Sequence, residues 1–240
     1  MTVPTNLYQK ASLKGDREDL IDKIYNTSPT ETPVLSAVGR VSATNTYHEW
    51  QRDALATANK DNALIDGDDV TLDAQTATER VGNYMQIFAK KPGVSRRANI
   101  VKKAGRGSEL AYIKAKSMLE IKRDIEAMIV SANAAVAPTT SVAGKSGGLG
   151  VQNNANTEHG VGGSTAAWTS GAPTVAPTPG TGRAFTEALL KSAVQKTYIA
   201  SGEVPRMVIM SPNHKGVFSG FAGIAVTRYQ VSKKEQGRII

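Results

Sequence analysis

Residues 108–133 read SELAYIKAKSMLEIKRDIEAMIVSAN, and their pattern predicts one long helix. Ser108 follows Gly105 and Gly107 and suits the N-cap, while Glu109 suits the first turn, where the helix dipole favours an acid. Leu110, Ile113, Ile121, Ile125 and Met128 fall on one stripe, with Met118 and Ile129 on its flank. Glu109, Lys116, Glu120 and Arg123 gather on the opposite side, with Lys116 and Glu120 at i, i+4 spacing. At roughly 1.5 Å per residue, the helix is about 39 Å long. That length suits a spine around which other parts are arranged.

Upstream lie two blocks of opposite charge. Asp61 to Glu79 holds six acidic residues and no basic one, and Lys90 to Arg106 holds seven basic residues and no acidic one. Two readings are open. Either the blocks are complementary surfaces of different copies, which would steer association and set register, or they are two solvated faces. The acidic block separates two extended-looking segments, Thr46 to Asp53 (TYHEWQRD) and Arg80 to Ala89 (RVGNYMQIFA), both rich in aromatic or β-branched residues. They are expected to pair as a long hairpin, which is marginal alone and needs a partner surface. Ala54 to Glu79 between them shows no helical period. A structureless stretch of that length is uncommon inside a compact domain, so it is expected to rest on a neighbour.

Residues 1 to 15 read as a loose arm. Asp16 to Tyr25 can form a short helix with Leu20 and Ile24 on one face, broken by Pro29 and Pro33. Val34 to Val41 is short, apolar and bounded by Gly39. Downstream of the spine, Ala134 to Gly182 is dominated by Ala, Gly, Ser, Thr and Pro, with only Lys145 and Glu158 charged. It reads as a low-complexity insertion, loop-like or disordered in isolation. Thr186 to Ala200 is expected to be a helix capped by Thr186 and ended at Gly202. Arg206 to Met210 (RMVIM) reads as a short buried strand, Ser211-Pro212 opens a further helix to about Ser219, and residues 225–231 (AVTRYQV) form a candidate strand.

Composition narrows the chemistry. Of 240 residues, 40 % are hydrophobic and 21 % charged, as in ordinary globular proteins, and the net charge of +8 permits contact with a polyanion. There is no cysteine, which excludes disulfides, thiolate zinc sites and cysteine nucleophiles. The start lacks a basic-then-apolar signal pattern, and no apolar run approaches the roughly 20 residues of a membrane span. His48, His159 and His214 lie in three separate segments without metal-ligand spacing, and no GxSxG elbow is present. Asp66-Gly-Asp68-Asp69 lacks the spacing and closing Glu of a calcium loop and is better read as a solvated acidic turn. Gly144-Lys145-Ser146 is no phosphate loop, because position 139 is Thr and no strand precedes it. Arg96, Arg97, Lys102 and Lys103 can grip phosphates, yet no aromatic interleaves them to stack on bases. Trp50 and Trp168 read as packing or interface anchors.

The order of parts, and a series of strings within it, resembles a known family. The strings are Arg17-Glu-Asp-Leu20, Ser28-Pro-Thr-Glu-Thr-Pro33, Asn45-Thr-Tyr-His-Glu-Trp50, Arg80-Val-Gly-Asn-Tyr84, Lys103-Ala-Gly-Arg106, Glu109-Leu-Ala-Tyr112, Lys122-Arg-Asp124 and Ala184-Phe-Thr-Glu187. In this order they resemble the SU-ten-type major head proteins of tailed bacteriophages. The resemblance implies an α+β protein of the Hong Kong 97-like (Johnson) fold. Its parts would be an N-terminal arm (1–45), an extended E-loop (46–90), a P-domain with the spine helix (91–136), the insertion (137–182) and an A-domain (183–240). Family members continue past the counterpart of Ile240, so the A-domain is expected to be incomplete here.

The same resemblance implies a structural protein without catalytic activity or cofactor. It would self-assemble into hexameric and pentameric capsomers of an icosahedral head that encloses double-stranded DNA non-specifically. Scaffold, portal or decoration proteins are the further partners, and no membrane is involved. Its place is the virion, after assembly in the host cytoplasm. Inter-subunit contacts are expected from Trp50, Arg52, Asp66, Asp68 and Asp69 of the E-loop. They would meet Arg96, Arg97, Lys102 or Lys103 at the root of the spine helix of another copy. Two other functions fit parts of the sequence: a cellular nanocompartment shell of the same architecture, and a non-specific DNA-binding protein acting through residues 90–106.

Overall fold

The computed structural model describes residues 7–10, 13–15, 18–67, 69 and 72–221. The candidate strand at 225–231, Arg17 and Asp68 lie outside the described residues. The chain is mixed α and β and divides into two units, one of residues 1–31 and 89–123, the other of residues 32–88 and 124–240.

In the first unit, helix α2 (Arg96–Ile100) is capped by Ser95, whose hydroxyl accepts from the Ala98 N–H at 3.2 Å. Asn99 at its end organises the start of the spine. Its Oδ1 accepts from the Leu110 N–H at 3.2 Å and from the Ser108 hydroxyl at 3.3 Å. Ser108 in turn accepts from the Ala111 N–H, so it serves as the expected cap. Helix α3 runs Glu109–Val130, about 33 Å at 1.5 Å per residue. It ends short of Asn133 because the Ser131 hydroxyl turns back to the Met128 carbonyl at 2.7 Å. The predicted stripe is half-buried, and Ser117 at its centre is the residue most shielded from solvent.

The expected helix at 16–25 does not form over its described part. Residues 18–31 are irregular, and Leu20, Ile21 and Tyr25 are exposed. Two apolar positions bury too little surface to offset the cost of nucleating so short a helix. The Asp22 carboxylate instead accepts from the Gly105 N–H at 2.8 Å. Gly105 has φ +74°, and a Cβ there would lie 2.9 Å from Ile24 Cγ1, so both its conformation and its neighbour call for glycine.

In the second unit, Pro33 opens helix α1 (Pro33–Ala37) at the position where a missing N–H costs nothing. The Thr32 side chain makes no cap hydrogen bond. Glu126 of α3 supplies the cap from the far side of the sequence, accepting from the Val34 N–H at 2.9 Å and the Leu35 N–H at 2.7 Å. Strands β1 (Tyr47–Arg52) and β2 (Glu79–Tyr84) pair antiparallel, with Tyr47 opposite Tyr84 and Arg52 opposite Glu79. This is the expected hairpin, ending five residues before Ala89.

The largest departure from expectation is the low-complexity segment. Residues 134–182 form helix α4 (Leu149–Gln152) and a small antiparallel pair, β3 (Ala167–Thr169) and β4 (Ala172–Val175). The turn between them places Ser170 at φ +51° and Gly171 at φ +79°, the paired positive φ values of a two-residue hairpin turn. Ala135, Val151, Ala166, Ala172 and Pro173 of this segment are buried, with Val81 of β2. Small side chains let backbones approach closely, so the composition that suggested disorder serves packing.

Helix α5 (Glu187–Ser201) is capped by Thr186 and ended by Gly202 in the left-handed region, φ +71°, as expected. Helix α6 (Pro212–Ser219) follows its Ser211 cap and leading Pro. Arg206 to Met210, expected as a buried strand, has no regular secondary structure, with Met207, Val208 and Ile209 exposed. A strand needs a ladder partner for its amides, and none of the described residues provides one.

Candidate assembly surface

The hairpin root is built from cross-strand pairs. The Arg52 guanidinium bonds the Glu79 carboxylate at 2.8 Å, and Arg80 meets Glu49 at 2.9 Å. The hydrogen bond from Arg52 holds the Glu79 carboxyl below its ordinary range. Tyr47 and Tyr84 pack with ring centroids 4.6 Å apart. Burial, then the nearby Glu49 charge, pushes the Tyr47 phenol up.

Trp50 and Arg52 both face Trp168 of β3. The indole rings meet edge-to-face at 6.5 Å, and the Arg52 guanidinium lies 5.4 Å from the Trp168 ring. Both tryptophans are therefore packing anchors within the chain. Trp50 keeps 41 % of its surface exposed.

Beyond the root, the described residues of 53–78 carry no regular secondary structure. Leu55 and Leu72 are 100 % and 98 % exposed, and Leu64 and Ile65 about three-quarters exposed. Asp66 stands at a turn made by Gly67 at φ +85°, and Asp66 and Asp69 are exposed. The other members of the predicted site belong to the first unit. Arg96, Arg97 and Lys102 are exposed and have no acidic partner among the described residues. Lys103 differs, because its ammonium lies 3.8 Å from Glu109 and 3.3 Å from the Asn99 carbonyl, with its side chain 16 % exposed. Arg106 also bonds Glu109, at 2.5 Å. Of the four bases, Lys103 is thus engaged by Glu109 and Asn99, and the other three face solvent.

Sequence reading missed Glu158, the one acid of 134–182. Its carboxylate takes a hydrogen bond from Ser192 at 2.6 Å, and it pairs with Lys196 at 2.7 Å and Arg183 at 3.6 Å. The bonds from Lys196 and Ser192 and the Lys196 charge, with Arg183 adding to them, outweigh desolvation and lower its pKa to about 2. A lone acid in an otherwise uncharged stretch was the available signal.

Among the described residues, no group of three or more His, Asp or Glu side chains is placed to hold a metal ion. The Ser211 hydroxyl lies 2.7 Å from His214 Nδ1, but it also accepts from the His214 N–H as the cap of α6. No carboxylate is bonded to that imidazole among the described residues, so the pair reads as helix capping. No helix among them is long and apolar enough to cross a membrane.

Comparison with known proteins accounts for a chain whose most exposed features are a loop and a cluster of bases. A major capsid protein of Escherichia phage Phieco32 is 35 % identical over 134 residues, covering 56 % of this chain. The matched stretch spans 38 % of that relative's length. The family described as SU10 major capsid protein matches residues 3–239. The chain belongs to the SU10 major capsid protein family.

Proposed function

We propose that this chain is a structural subunit of the phage head, with the Hong Kong 97-like arrangement of arm, E-loop, spine and A-domain. It acts by assembling with copies of itself around double-stranded DNA. The observation that carries this reading is the contrast within the hairpin. Its root is docked on its own chain, while the described part of 54–78 presents Leu55, Leu72, Asp66 and Asp69 to solvent. Such a loop gains stability only against another surface. In this reading Asp66, Asp68 and Asp69 of one copy meet Arg96, Arg97 and Lys102 of another. Each exposed pair contributes about 0–1 kcal/mol, so repetition over a closed shell and burial of the loop's leucines supply the rest.

The test is charge reversal in the complete gene product, Asp66, Asp68 and Asp69 together to Lys. The expected result is loss of fast-sedimenting, megadalton particles with an unchanged circular dichroism spectrum. Normal particles under negative stain would end the pairing scheme. Absence of particles from the unaltered product with its assembly partners would end the shell reading itself.

The lack of acidic partners among the described residues at Arg96, Arg97 and Lys102 supports a second role for the same cations, contact with phosphates of the enclosed duplex. Duplex affinity would then fall with salt, with a log–log slope of about −0.9 per phosphate neutralised.

A further inference from the structure

A two-stranded hairpin is marginal in water, yet β1 and β2 are held, at the outer edge of β2 and on one face, by the segment that follows the spine. The ladder bond from the Met85 N–H to the Thr46 carbonyl sets which amides face inward. By alternation the Gly82 N–H points away from β1, where it donates to the Gly171 carbonyl at 2.8 Å. Next to it, Asn83 treats Gly147 as one strand treats another. The Asn83 amide donates to the Gly147 carbonyl at 3.0 Å and accepts from the Gly147 N–H at 2.9 Å, and it also bonds the Ser146 hydroxyl at 3.2 Å. The Ser146 N–H completes the row on the Gln86 side-chain oxygen at 3.2 Å.

The two glycines on the receiving side have no room for a side chain. A Cβ on Gly147 would lie 2.9 Å from Pro173 Cγ, and one on Gly171 would lie 2.6 Å from the Arg80 carbonyl oxygen. On the other strand, Trp50 and Arg52 rest on Trp168.

We infer that residues 144–173 are a socket for the hairpin root, and that Asn83 is the positioning residue that sets the direction in which the 54–78 loop leaves the hairpin. The socket fixes the aim of the loop within one chain, so the inference stands apart from the assembly reading. A polar side chain in mid-strand, bonded to a glycine backbone on both its donor and acceptor sides, serves orientation more than burial. Apolar packing slides, whereas a two-way amide pair has one register.

The chain has no cysteine, so spin labels at Ala54→Cys and Gln195→Cys report the hairpin exit against α5 within the second unit. The expected distance distribution is narrow in the otherwise unaltered chain. It is expected to be at least twofold broader in Asn83→Ala, with Gly147 N–H exchange at least tenfold faster and exchange in α5 unchanged. Gly147→Ala, acting from the other side of the pair, is expected to broaden it equally. A broad distribution before Asn83 is altered, or one that keeps its width in Asn83→Ala, overturns the inference. Should Asn83→Ala also lose α5 protection, Asn83→Gln replaces it, since it displaces the same amide by one methylene. An unchanged width there overturns the inference as well.

Discussion

Residues 54–78 and residues 134–182 look alike as sequence: both are long, poor in helical period and rich in small or polar residues. In the structure they are opposites. The first leaves its described large apolar side chains about three-quarters or more exposed, while the second contributes most of the buried residues described. What separates them is partnership. The later segment meets β2, the end of α3 and α5 through backbone bonds from glycines and alanines, and through Glu158. The described residues of the loop leave their large apolar side chains exposed, and Thr78 at its end bonds Gln51 of β1 at 3.3 Å. Small residues in a low-complexity stretch can thus mark close backbone packing, and large apolar ones can mark a surface held for something else.

The largest expected effect would break the packed side of that comparison. Val151 is 0 % exposed, so Val151→Asp places an unpaired charge in the interior. It should cost about 3 kcal/mol or more, read as a lower urea midpoint. A change within about 0.5 kcal/mol would return the segment to the status of a loop.

A smaller effect sharpens how the segment is tied to α5. The Glu158 carboxyl has a folded pKa of about 2, below its ordinary 4.5. Its contribution to stability is therefore fully present above the ordinary value, and is lost as pH falls from about 4.5 toward 2. Glu158→Gln should flatten the pH dependence of unfolding in that window, and equal slopes for both proteins would remove Glu158 as the tie. The smallest effect concerns the loop. Leu72→Ser should leave chain stability within about 0.5 kcal/mol while reducing particle yield from the complete gene product, and a stability loss above 1 kcal/mol would mean that Leu72 packs within its own chain.

Parts governed by local chemistry were legible in the sequence. Ser108, Thr186 and Ser211 cap the helices they were expected to cap, Gly202 ends α5, and β1 pairs with β2. These rules act over three or four residues, or through alternation. Misreadings fell where structure depends on distant partners. Residues 18–25 bury little apolar surface, and 206–210 finds no strand partner among the described residues. The socket arises from contacts such as Asn83 to Gly147, which no local pattern encodes. Of the predicted site, the exposed acids and three of the four bases are placed as solvent-facing groups. Lys103 is engaged by Glu109, which the spacing of the basic run did not reveal.

The Glu126 cap has a consequence for the order of synthesis. A five-residue helix does not persist alone, and Thr32 leaves the first amides of α1 without a side-chain cap. The group that completes the helix is 92 positions downstream of Val34. On the ribosome, α1 therefore stays unformed until residue 126 has emerged and α3 has begun to wind. The segment leading into the hairpin waits on the helix that follows it, so the emerging chain keeps its N-terminal part open until the spine exists.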